Sequence, residues 1–263
     1  MGVQTTAVAI DEAFAKTLLG EYDDDAPWEA VRELRRIATD EVFDRAVEWC
    51  RSNNPLKRAR GVDVLAQFGR TSEHPSHACP QDSFLVIASL LKTEQELMPL
   101  RSEIFALGHI GDARAVRVLS RFQSHSEPEI RFALACALGN FPSDPAAANV
   151  LVQLTHDEDQ DVREWATFGL GALGEKDSPE IREALWDRLS DSFEDVRQEA
   201  IVGLVRLRDE RVLTALLLAL EQEDVPNIVI DAALDMLGLS ESAAEWTPAR
   251  CAAELRKRYN LRS

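Results

Sequence analysis

One repeated ending constrains this chain more than any other feature. Leu170-Gly171-Ala172-Leu173-Gly174 recurs as Leu107-Gly108-His109-Ile110-Gly111 and as Leu138-Gly139-Asn140-Phe141-Pro142. Looser copies stand at Leu34-Arg35-Arg36-Ile37, Leu65-Ala66-Gln67-Phe68-Gly69, Leu204-Val205-Arg206-Leu207 and Leu234-Asp235-Met236-Leu237-Gly238. The first leucines of the seven copies are 31, 42, 31, 32, 34 and 30 residues apart. A near-constant period of this size fits two helices and two tight turns, repeated. Each repeat then buries its apolar face mainly against its neighbours, so the chain needs no central core. In the stretch Gln160–Asp177, Val162, Ala166, Leu170 and Leu173 are spaced to share one helical face, and Gly174 ends the helix.

The rest of the chain divides to this ruler. Met1–Thr6 is expected to lack regular structure, and Ala9–Leu19 reads as a helix stopped by Gly20, capping the first repeat. Residues 1–25 form that cap and an acidic linker, in which Asp25 caps the helix beginning near Pro27. Residues 26–263 hold seven helix pairs, the second opening at Asn54-Pro55 and the last closing with a helix near Pro248–Tyr259. Arg70–Gln81 is an inserted loop that accounts for the long step of 42. The expectation is an all-α solenoid: a right-handed superhelix of antiparallel helix pairs, about seven in number.

The pattern of Val or Ile followed by Arg near the start of a first helix, with a Leu-Gly ending and a Gly-Asp turn, resembles the short HEAT repeat of phycobilisome-lyase type. Ile130-Arg131, Val162-Arg163 and Val196-Arg197 carry the start; Gly111-Asp112 carries the turn, echoed by Arg208-Asp209. The resemblance spans roughly Ala26 to Leu239. It implies the solenoid. For function it implies either an interaction scaffold or a bilin-lyase-like subunit acting on a chromophore-bearing protein.

Charge narrows the partners. The formal net charge is −17, which opposes binding to a phosphate backbone, where basic side chains supply most of the affinity. No stretch approaches the roughly 18 uncharged apolar residues of a membrane span. The cysteines Cys50, Cys79, Cys136 and Cys251 are far apart and without CxxC spacing, as in a reducing compartment. No secretory leader is evident, and a cytoplasmic location is expected.

Candidate chemistry is sparse. His74, His77 and Cys79 share the inserted loop but lack a second ligand group at zinc-finger spacing, and Asp157, Asp159 and Asp161 lack the glycine and closing glutamate of a calcium loop. A turn that caps the following helix accounts for the three aspartates. No nucleophile motif, Gly-rich phosphate loop or HExxH is present. The expectation is therefore a non-enzymatic scaffold with neither metal nor cofactor. Arg131, Arg163 and Arg197 are expected to pair with acidic residues in adjacent turns. The partner, a protein or peptide, is expected on a concave surface built by the second helices. Arg114, Arg117 and Arg121 form a cationic stripe there, outside core positions at Val116, Leu119 and Phe122. Trp49 and Trp186, also on second helices, are the candidate aromatic anchors.

Overall fold

A computed structural model describes residues 2–239 and 246–261. They form fifteen α helices with no strand among the described residues, as the repeat period requires. The chain falls into two compact units, Met1–Ala137 and Leu138–Ser263.

In the first unit, α1 (Gly2–Lys16) precedes the pairs α2 (Asp25–Ile37) and α3 (Asp40–Trp49), α4 (Pro55–Ala66) and α5 (Pro80–Leu90), and α6 (Leu97–Ile110) and α7 (Arg114–Leu119). α8 (Pro128–Leu138) follows. In the second unit, α9 (Pro145–Leu154) is followed by α10 (Gln160–Phe168) with α11 (Pro179–Arg188), α12 (Glu194–Arg206) with α13 (Leu213–Leu220), and α14 (Asn227–Leu237) with α15 (Pro248–Arg258). Local sequence sets the boundaries. Asn54, Asp144, Ser178 and Thr247 each accept a backbone N–H of the first turn, and each is followed by proline at the first helical position. Left-handed glycines close several helices, among them Gly111 (φ 73°) and Gly238 (φ 69°).

The seven ruler leucines are all buried, none more than 4 % exposed. First helices stack on first helices, and small residues permit the closest approach. A Cβ placed on Gly203 of α12 would stand 2.7 Å from Gly171 Cα, so the two backbones meet with no room for a methyl group. α1 packs on α2, burying Ile10, Ala13 and Phe14.

Three sequence expectations need correction. Helix α1 already begins at Gly2, inside the stretch expected to be irregular. Asp25 lies inside α2. The residue before it, Asp24, turns its carboxylate back onto the Glu21 N–H at 2.9 Å, so neither aspartate caps the helix. Leu173 is exposed rather than sharing the buried face of Leu170, because Gly169–Leu173 is a π turn. Its wider winding carries Leu173 off the stripe that a regular helix would continue. The chain then leaves at Gly174 in an extended conformation.

Candidate functional site

A cleft of about 420 Å³ opens over the first helices of the first unit. It is assembled around Tyr22, in the acidic linker between α1 and α2. The Tyr22 hydroxyl donates to Asp63 Oδ2 at 2.8 Å and lies 2.8 Å from Ser102 Oγ. Arg60, 1 % exposed, stacks its guanidinium on the Tyr22 ring at 4.2 Å. It donates to the backbone oxygens of Thr17 (2.9 Å) and Tyr22 (2.7 Å) and lies 3.4 Å from Asp63 Oδ2. A buried ion pair of this kind is tolerated only when its remaining donors and acceptors are satisfied; here they fasten the linker to α4. Burial pushes the Asp63 carboxyl up, opposed by the Tyr22 hydrogen bond and by Arg60 and Arg35.

Above this base, Trp28 and Arg35 line the cleft from α2, Arg101, Phe105 and His109 from α6, and Phe132 from α8. Arg101, Phe105 and His109 share one face of α6 through spacings of four. Phe105 and Phe132 meet edge to face at 6.3 Å. Arg35 is not a loose cation: it donates to the Asp63 carbonyl at 2.7 and 2.9 Å and to Gln67 Oε1 at 3.3 Å. Arg101 is paired with Glu129. Burial pushes the His109 imidazole down, helped by Arg35 and Arg70, which favours its neutral form. The cleft therefore offers aromatic walls, a neutral imidazole and compensated charges: a surface for an apolar or aromatic group with a polar end. Ser102 is engaged by Tyr22 rather than by a base, so the cleft shows no activated nucleophile.

The residues singled out from sequence are distributed differently. Arg114, Arg117 and Arg121 are exposed, on α7 and the 3₁₀ turn Ser120–Phe122 that continues it. Val116 and Leu119 beneath them are buried and Phe122 is half-buried. Arg114 forms a two-pronged pair with Asp112 (2.6 and 2.8 Å) and stacks on Phe84 at 4.2 Å. Arg121 donates to the Leu91 carbonyl and stacks on Phe122. Trp49 is half-buried against Phe14, with Lys57 over its ring at 5.2 Å. Trp186, in the other unit, is exposed beneath the Arg211 guanidinium at 5.2 Å.

In the inserted loop both His77 ring nitrogens are occupied: Nε2 lies 2.8 Å from the Leu65 carbonyl and Nδ1 accepts the Cys79 N–H at 3.1 Å. Among the described residues no three His, Cys, Asp or Glu side chains converge as metal ligands. Asp159 caps α10, accepting from the N–H groups of Asp161 and Val162. The Val-Arg arginines close turns. Arg131 donates to the carbonyls of His125 and Ser126, Arg163 to those of Asp157 and Glu158, and Arg197 to those of Asp191 and Ser192. Arg163 also forms the expected acidic pair, reaching the Asp191 carboxylate at 2.8 and 3.0 Å.

Sequence reasoning passed over the cleft. The available signal was a first helix whose free face carries Arg101, Phe105 and His109, residues that the repeat pattern assigns to neither core nor cap.

The fold and these sites define a helical-repeat protein in which consecutive pairs bury one another's faces. The HEAT repeats family matches residues 87–171 and 168–238, more than half the chain, and the protein belongs to that family. Protein YibA of Escherichia coli strain K12 is 25% identical over 229 residues, covering 85% of this chain and 79% of its own. An X-ray structure of E. coli YibA shares the fold with a TM-score of 0.71 at 22% identity, covering 98% of this chain and 97% of that one. The phycocyanobilin lyase subunit alpha of Thermosynechococcus vestitus is 32% identical over 78 residues, 30% of this chain and 28% of its own. No helix among the described residues is long and apolar enough to cross a membrane.

Proposed function

We propose that the protein is an interaction scaffold whose first unit takes an apolar side chain of a protein partner into the cleft beside Tyr22. The observation that carries this reading is the pairing of aromatic walls, Trp28, Phe105 and Phe132, with a buried polar base that fastens the linker before α2 to α4. Pre-set aromatic pockets of this kind concentrate binding energy in a few contacts. Arg114, Arg117, Arg121 and Trp49 in the same unit, and Trp186 in the other, are secondary contacts in this proposal. The test is affinity purification from the native cell with the wild type and with Phe105→Asp, each first checked for helical content. A protein retained by the wild type and lost by the variant is the expected result. Identical sets of retained proteins overturn the reading.

The segment of likeness to a phycocyanobilin lyase subunit favours a second reading, in which the chain assists attachment of a bilin to a protein. Incubation with phycocyanobilin and an apo-phycobiliprotein decides it: a covalent coloured product supports this reading, and none removes it.

A further inference from the structure

The second unit carries a groove that neither reading uses. It has a volume of about 440 Å³ and runs between α12 and α13, closed at one end by the connection into α14. Glu194, Arg197, Gln198 and Ile201 face it from α12, Ala215, Leu218 and Ala219 from α13, and Gln222 from the turn after α13. On α12 the positions are i, i+3, i+4 and i+7, one face over two turns; on α13 they are i, i+3 and i+4, one face over about one turn. Ile201 is buried at the floor. Ala215 and Ala219 keep the α13 wall low, and Leu218, at its edge, is 57% exposed. For a leucine at the mouth of an apolar groove, that exposure is an unused contact.

The rim is acidic. Glu194, Glu223 and Asp224 are exposed on it. The cation among these lining residues, Arg197, donates to the backbone carbonyls of Asp191 and Ser192 at 2.8 and 3.1 Å, so its hydrogen bonds are directed into its own turn. The groove thus combines an apolar base of Leu189, Ile201, Val229 and the two alanines with carboxylates at its rim.

We infer that this groove is a docking site for a short basic amphipathic helix of a protein partner. Two turns of such a helix place apolar side chains at i and i+3 or i+4 against Ile201, Leu218 and the two alanines. Its lysines or arginines then meet Glu194, Glu223 and Asp224. An acidic or uncharged helix would leave those carboxylates facing like charge or apolar surface. The inference shares with the proposed scaffold only the premise that the chain binds proteins; it concerns the other unit and a different ligand chemistry.

The probe is a fluorescein-labelled 14-residue peptide of amphipathic leucine and lysine heptads, with a glutamate-for-lysine peptide as control, read by fluorescence anisotropy on the full chain. The lysine peptide is expected to bind in the micromolar range and the glutamate peptide not to bind. Leu218→Asn, at an exposed position and checked by circular dichroism, should weaken binding at least tenfold. The pair Glu223→Lys with Asp224→Lys should weaken it similarly and flatten its salt dependence. Phe105→Asp should leave it unchanged, which separates this site from the cleft of the first unit. Absence of binding overturns the inference. So does binding that survives Leu218→Asn or the double charge reversal, because that behaviour belongs to diffuse attraction by an acidic surface.

Discussion

Glu103 offers a direct test of the packing in the first unit. Its side chain lies in α6, 1% exposed, and its Oε2 meets no hydrogen-bond donor. Burial pushes the carboxyl from its ordinary 4.5 up to about 8; Glu94 adds to the rise, and Arg58 and Arg121 oppose it. The folded state thus holds this proton more tightly than the unfolded chain does. The stability it confers is fully present below about pH 4.5 and is lost as pH rises toward about 8. At about 1.4 kcal/mol per tenfold change, the loss between those limits is on the order of 4–5 kcal/mol. Glu103→Gln has the shape of the protonated side chain and no proton to lose, but its amide strands a buried donor at roughly 1–3 kcal/mol. The variant should therefore be somewhat less stable than the wild type near pH 5 and roughly 2–3 kcal/mol more stable near pH 9. Urea unfolding followed by far-ultraviolet circular dichroism at several pH values measures the difference. Glu199, pushed up to about 7 by burial and by Glu164 and Asp195, titrates in both proteins and cancels. A difference between the two proteins that stays constant from pH 5 to pH 9 refutes the argument.

Two further outcomes are expected. Leu170→Ala removes a buried ruler leucine that sits in the π turn and should cost roughly 2–5 kcal/mol; a neutral effect in the same urea assay would contradict its place in the inter-repeat core. Duplex and single-stranded DNA should not bind at micromolar concentration in physiological salt, because the chain carries a net charge of −17; salt-sensitive binding at that level would contradict this.

The architecture was legible because the repeat forces it. A leucine at a fixed place in every copy has to be buried, and Leu34, Leu65 and Leu204 are each 0 % exposed. Asn54-Pro55 announced a helix start through capping chemistry alone. Two of the failures have a physical origin outside the local sequence: one depended on a departure from regular winding and the other on contacts distant in sequence. Leu173 was misplaced because nothing in Leu-Gly-Ala-Leu-Gly distinguishes a π turn from a regular one. The π turn sits where Gly171 meets Gly203 of the facing helix at close range, a contact distant in sequence. The cleft was invisible because Tyr22, Asp63 and Ser102 are separated by 41 and 80 residues from their partners in the Tyr22 network. Tyr22 alone reads as one tyrosine in an acidic linker.

The fate of the arginines connects the fold to the partner chemistry. Arg131, Arg163 and Arg197 lock the turns before their own helices, and Arg58 repeats the device on the Ser52 carbonyl while pairing with Glu94 at 2.6 Å. Arg35, Arg206 and Arg208 donate to carbonyls near the ends of neighbouring first helices, at Asp63, Gly171 and Asp235, where the helix dipole favours a cation. Arginines in several repeats thus donate to backbone oxygens, where they hold loops and helix ends. The carboxylates outnumber the cations at 46 to 29, and many remain in solvent. The acidic rim of the α12–α13 groove, formed by Glu194, Glu223 and Asp224, is the feature on which the proposed docking of a positively charged helix rests.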